Sequence, residues 1–252
     1  MPNLGGIVAA VSQRRKRWNA ASGGTEATVA NYNGTGQTWK IHTFTSDGTF
    51  TVTSAANIFR VLLVAGGGGH GADGSSAHEQ SGMGGAGGML EYDSRTLTIG
   101  AKAVVRGAYG AAGANGSNST FDGLTAVGGG RGGNGRGTTG ASGGSGGGGG
   151  DFDGPGGAGT AGQGYAGGVG QRNSPEAQYD GGGGGGAGGA ASGYTRGPGK
   201  ANTITGSSVT YAAGGMTNQG AGTDYLGNGG GGGGPTANRG GHGVVIIAYR
   251  IG

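Results

Sequence analysis

The sequence predicts a mainly β protein with much irregular structure. Strands at both ends enclose a bundle of packed polyglycine rods of the polyproline-II type, preceded by a short N-terminal helix. Three observations lead there. Glycine supplies 75 of the 252 residues and is gathered into runs. Strand-type apolar segments stand before the first long run and at the C-terminal end. Hydrophobic residues are only 32% of the chain, too few to fill an ordinary interior at this length, so backbone must supply part of the core.

The chain divides into an N-terminal docking segment, 1–37, and a glycine-rich domain, 38–252. In the first, residues 4–18 place Ile7, Val11 and Trp18 on one side of a helix, with Gly5 and Gly6 before it and Asn19 at its end. The same residues also read as a frayed, solvated basic tail. In the second, Thr38–Thr45 is a strand with Trp39, Ile41 and Thr43 on one face. Asp47-Gly48 suggests a hairpin turn returning through Phe50–Thr53. Ile58–Ala65 is continuously apolar, the mark of a strand covered on both faces. Thr96–Ile99 and Ala103–Val105 read as a strand pair about Gly100, and Ser119–Val127 as strand, turn and strand. Gly243–Arg250 closes the chain as a second fully buried strand, a natural partner for 58–65.

Between those two strands lies the glycine, in runs at 66–69, 146–150, 181–186 and 229–234. It does not recur at every third position, so a collagen helix is excluded. A disordered linker would be a Gly/Ser mixture without bulky residues. Here the runs are capped by strand-type segments and share lengths of four to six, separated by variable inserts. Polyproline-II geometry gives the runs a physical form. It has three residues per turn, ~3.1 Å rise and no internal hydrogen bonds. Rods packed side by side can satisfy each other's N–H and C=O groups, and only glycine allows so close an approach. A run of six spans about 19 Å, so the bundle is short and broad.

Composition excludes several functions. The basic excess, 16 Lys and Arg against 12 Asp and Glu, comes largely from Arg14-Arg15-Lys16-Arg17, leaving no face-wide footprint for nucleic acid. Without Cys there is no disulfide or thiolate metal site. No apolar stretch approaches the ~18 residues of a membrane span, and the apolar-then-basic N-terminus reverses a signal peptide. His70, Asp73, His78 and Glu79 are possible metal ligands by type but lack regular spacing. No nucleophile–base set is visible. The expectation is a protein with no catalytic site, no metal and no cofactor. What remains is surface. Phe152, Tyr165, Arg172, Tyr179, Asp180, Tyr194, Arg196 and Tyr225 sit between the late runs. Their rings either cap the rod ends or stack on sugar faces beside charged groups.

Four elements carry a family pattern. Phe44–Val52 followed by Val61–Gly69 resembles the opening of the glycine-rich domain of bacteriophage minor tail proteins. Asn118–Phe121 with Leu124–Gly130 is similar to its internal element. Ile204–Ala212 with Gly214-Gly215 resembles its late element, and Gly240–Tyr249 its closing strand. The order and approximate spacing agree from about residue 38 to the end. The resemblance implies a minor tail protein of a virion, assembled in the host cytoplasm, with other tail proteins and itself, as a homotrimer, for partners. Docking onto the tail is then expected through Arg14, Arg15, Lys16, Arg17 and Trp18. Contact with host cell-wall glycan is expected through Phe152, Tyr165, Arg172, Tyr179, Tyr194 and Arg196. The alternative is an extracellular ice-binding or surface-coat protein with the same rod packing. That alternative needs a flat face of regularly spaced Thr or Ala, whereas the inserts here are irregular.

Overall fold

In the two apolar strands, alternate side chains enter two different cores. A computed structural model describes residues 18–55, 58–72, 81–172, 179–217, 219–232 and 239–252. Its strands are β1 (Ala20–Ser22), β2 (Thr25–Val29), β3 (Trp39–Phe44), β4 (Gly48–Ser54), β5 (Phe59–Val64), β6 (Met89–Arg95) and β7 (Gly100–Val105), then β8 (Ser119–Phe121), β9 (Leu124–Ala126), β10 (Gln171–Arg172), β11 (Tyr179–Asp180), β12 (Lys200–Asn202), β13 (Val209–Tyr211) and β14 (Val244–Arg250). β14 pairs antiparallel with β5, Val245 opposite Leu63 and Ile247 opposite Val61. Phe59, Val61, Leu63, Val245, Ile247 and Tyr249 enter one core. Leu62, Val64, Val244, Ile246 and Ala248 enter the other. Both strands are covered on both faces, as their unbroken apolar sequences require.

The first core is the inside of a β-sandwich. One sheet runs β2-β3-β14-β5-β6 and the other β1-β4-β7-β8-β9. Phe50 is the centre of the contact, edge-on to Phe59 at 6.2 Å and to Phe121 at 5.9 Å. The second core lies on the outer face of the first sheet, where Tyr32, Ala86, Ile204 and Tyr211 pack. β12 and β13 form a separate hairpin beside it.

The structure corrects two local expectations. β3 and β4 are not a hairpin, because they belong to opposite sheets. Neither Asp47 nor Gly48 has the positive φ that a two-residue hairpin turn requires, and Asp47 Oδ1 instead accepts the amide of Arg106 at 2.8 Å. The strand pair about Gly100 is a single strand, β7, which lies between β4 and β8. Leu97 drops out of the sheets into the sandwich core. Two strands also lie N-terminal of the boundary drawn at residue 38, since β1 and β2 form one edge of each sheet. Of the helix read over 4–18, all but Trp18 lies outside the described residues.

Among the described residues the long glycine runs join no named strand, yet most of their amides are hydrogen-bonded, and two segments show a repeat of three. In segment 82–88, the amides of Gly82, Gly85 and Gly88 donate to Gly133, Gly130 and Val127 at 2.7–2.8 Å. Those of Met83 and Ala86 donate to Gly182 and Gly185, and those of Gly84 and Gly87 to Gly230 and Gly227. Segment 145–150 repeats the arrangement. Ser145 and Gly148 donate to Ala86 and Met83, Gly146 and Gly149 to Tyr165 and Gly168, Gly147 and Gly150 to Ala141 and Thr138. Each segment thus addresses three neighbours in turn. A methyl group on Gly132 would overlap the carbonyl of Gly82, and one on Gly148 that of Gly182. This second interior is backbone against backbone.

Candidate functional site

Turns gather at the end of the glycine segments away from the sandwich. Gly66 leaves β5 and residue 72 lies six residues on, about 20 Å at an extended rise. There the Ala72 amide donates to Asn134 Oδ1 at 2.9 Å. The Gly137 amide donates to the Asp151 carbonyl at 2.6 Å, tying the turn at 134–137 to the turn at 151–153. Phe152 and Asp153 have φ of 55° and 63°, a conformation that bulky side chains rarely adopt. The guanidinium groups of Arg136 and Arg172 lie over the Phe152 ring at 4.0 and 5.1 Å. Arg172 is held in β10, opposite Tyr179 of β11.

The other expected contact residues are dispersed. Tyr165 is half exposed and begins the segment that ends near Arg172, about 22 Å away along the chain at an extended rise. Its amide donates to Gly186 and its carbonyl accepts from Gly146. Tyr194, also half exposed, tips the turn between the bridged residues Ser192 and Thr195. Arg196 follows it, partly buried. The structure therefore brings Phe152 and Arg172 together, adds Arg136, and leaves Tyr165 elsewhere. Arg14, Arg15, Lys16 and Arg17 lie outside the described residues. Trp18 packs under the Arg250 guanidinium at 5.0 Å, and its carbonyl accepts the Ser54 hydroxyl. Asp73, His78 and Glu79 are also outside the described residues. Among the described residues no group of three His, Cys, Asp or Glu is placed to hold a metal ion, and no helix is long and apolar enough to cross a membrane.

A second cluster joins Tyr225, one of the rings noted between the late runs, to residues the sequence reading did not group with it. Asp224 accepts both terminal nitrogens of Arg239 at 2.8 and 3.0 Å, and also the His242 amide. This ion pair raises the pKa of Arg239 above its ordinary value, chiefly through the hydrogen bond it donates to Asp224. The Arg239 guanidinium lies over the Tyr109 ring at 4.5 Å. His242 sits between Tyr109, edge-on at 4.6 Å, and Tyr225, stacked at 6.1 Å. Arg106 Nη1 donates to His242 Nδ1. Arginine has only donors, so the imidazole proton belongs on Nε2.

A sandwich built on β5 and β14, carrying a threefold-bonded glycine interior, is the frame against which the family is recognised. Residues 43–250 match the sequence profile of a glycine-rich domain. The chain belongs to that glycine-rich domain family. No curated protein matches it. Within this glycine-rich domain the matched region opens in β3 and runs to the last residue of β14, so both buried strands and every segment between them fall inside it.

Proposed function

We propose that this glycine-rich domain is a structural minor tail component of a bacteriophage virion, a tip, fibre or decoration without catalytic activity. Its glycine segments are packed polyproline-II-type rods, and its loops contact the host cell surface. The observation that carries the reading is the bonding with a repeat of three, in which each segment serves three neighbours. That period belongs to a threefold extended helix. Such a lattice leaves the rods no spare backbone groups for a ligand and mounts turns at its far end on a rigid base, the usual place for recognition. The sequence resemblance of the opening, internal, late and closing elements supports the tail assignment.

Tyr165, Tyr194 and the Phe152–Arg172 pair have the rings and cations that suit a cell-wall glycan. Single contacts of this kind contribute about 1 kcal/mol each, so adhesion relies on several copies. A homotrimer anchored to other tail proteins through residues 14–18 supplies them. The test is a phage in which Tyr165, Tyr179 and Tyr194 are all replaced by Ala. Particles should assemble but adsorb several-fold more slowly to host cells. Unchanged adsorption by intact particles would leave an architectural role only. A monomer by light scattering, with incorporation surviving deletion of residues 1–18, would remove the trimer and the docking segment together.

A further inference from the structure

Tyr225 is the more exposed of the two tyrosines in the second cluster. It has φ of 62°, a left-handed conformation that costs a non-glycine residue roughly 1–2 kcal/mol. Gly227, two positions on in the same turn, has φ of 66° without that cost. In a chain with 75 glycines, the turn carries instead a tyrosine that is 44% exposed. Tyr109 on the other side of His242 is 38% exposed. Rings that served only to cap the lattice would be turned inward against it. Strain kept at an exposed side chain points to recognition.

From this geometry we infer that Tyr109, Tyr225, His242, Arg239 and Asp224 form a binding site for a pyranose saccharide. Two exposed tyrosines flank the imidazole, one face of Tyr109 taken by Arg239 and one face of Tyr225 turned to His242, and a sugar's C–H face would stack on the remaining ring surface. His242 Nε2–H and the guanidinium edge of Arg239 not engaged by Asp224 supply donors for its hydroxyls. Asp224 acts as a positioning residue. Its carboxylate holds Arg239 over Tyr109 and bonds the His242 backbone, so the donors are fixed before a ligand arrives. The Arg239–Asp224 pair is neutral as a unit and Arg106 on His242 adds one positive charge, so the site suits a neutral or a singly acidic sugar. This site is distinct from the loops at the far end of the lattice. It does not depend on the chain being part of a virion.

The experiment uses the purified full chain with two probes, a neutral hexose tetrasaccharide and a uronate tetrasaccharide, read by saturation-transfer NMR and calorimetry. The expected result is transfer to ring protons of at least one probe. Tyr109→Ala and Tyr225→Gly should each weaken that binding tenfold or more. Tyr225→Gly should melt at or above the temperature of the parent, because it releases the strain. A Tyr165→Ala, Tyr194→Ala variant should bind as the parent does, which separates this site from the adhesive loops. Absence of transfer to either probe would overturn the inference. So would unaltered binding by Tyr225→Gly, or a fall of several degrees in its melting temperature, which would make Tyr225 a packing residue.

Discussion

At the scale of the residue, the two interiors respond to different substitutions. In the lattice, a methyl on Gly184 would overlap the carbonyl of Gly84, and backbone on both sides has no rotamer through which to move aside. Gly184→Ala should therefore cost about 3 kcal/mol, and Gly183→Ala, which meets the backbone of Thr195 and Arg196, a similar amount. Gly162 has φ of 76° but open space around it. Gly162→Asn should stay within about 1 kcal/mol of the parent, since Asn tolerates that conformation. Denaturant midpoints compare them, and equal midpoints for Gly184→Ala and the parent would mean the segments are loosely packed. In the sandwich, His42 is fully buried. Its Nδ1 lies 2.8 Å from the Gly23 carbonyl, which can only accept, so the proton sits there. Burial pushes the imidazole pKa down, against the pull of that carbonyl and of Glu26. The unfolded chain then takes up a proton near pH 6.5 while the folded chain resists. Stability should fall as the pH drops below about 6.5, by up to roughly 1.4 kcal/mol per pH unit. His42→Gln should remove that part of the slope in a pH series of denaturation curves.

At the scale of the element, legibility followed burial. β5 and β14 were readable because both faces are covered, which leaves an apolar signal at every position, and their pairing follows from their being the two strongest such runs. The strand, turn and strand at Ser119–Val127 was readable for a local reason. Asp122 and Gly123 take φ of 46° and 79°, as a two-residue hairpin turn demands. The same dipeptide at 47–48 misled, because Phe50 and Val52 gain more by crossing to the opposite sheet, where they fill the sandwich core, than by pairing with β3. Sheet membership is a long-range outcome and leaves no mark in a window of ten residues. The Tyr109–His242 cluster is the extreme case, since Arg106 and His242 are 136 positions apart and neither stands in a local motif. The β8–β9 turn offers a test of what stabilises it. Asp122 also binds Arg95 at 2.9 Å and Lys102 at 3.0 Å. Asp122→Ala should cost about 2 kcal/mol by placing a β-carbon without a polar partner at positive φ. Asp122→Asn, which keeps the turn and loses the ion pairs, should cost less than about 1 kcal/mol. Similar losses for both would assign the stability to the ion pairs.

At the scale of the whole molecule, the shortage of apolar residues is met by splitting the interior in two. Side chains fill the sandwich and the core on the outer face of its first sheet, and peptide groups fill the lattice, where hydrogen bonds between segments take the place of a hydrophobic core. Amide exchange should accordingly be slow across 145–150 and 182–185 although neither segment is in a strand, because each of their N–H groups has an acceptor on another segment. The calorimetric consequence is more specific. Unfolding exposes apolar surface, which raises heat capacity, and polar surface, which lowers it, and ordinary domains balance near 12–15 cal/mol/K per residue. Melting the lattice exposes mainly N–H and C=O groups and few apolar side chains. The positive contribution comes almost entirely from the two side-chain cores on either face of the β2-β3-β14-β5-β6 sheet, while the negative contribution comes from the whole chain. The heat-capacity change per residue should therefore fall clearly below that ordinary range, giving a flatter stability curve. Scanning calorimetry at several pH values measures it directly as the slope of enthalpy against melting temperature. A value within or above the ordinary range would mean that the glycine segments are already hydrated in the folded state, and the backbone-filled interior would have to be abandoned.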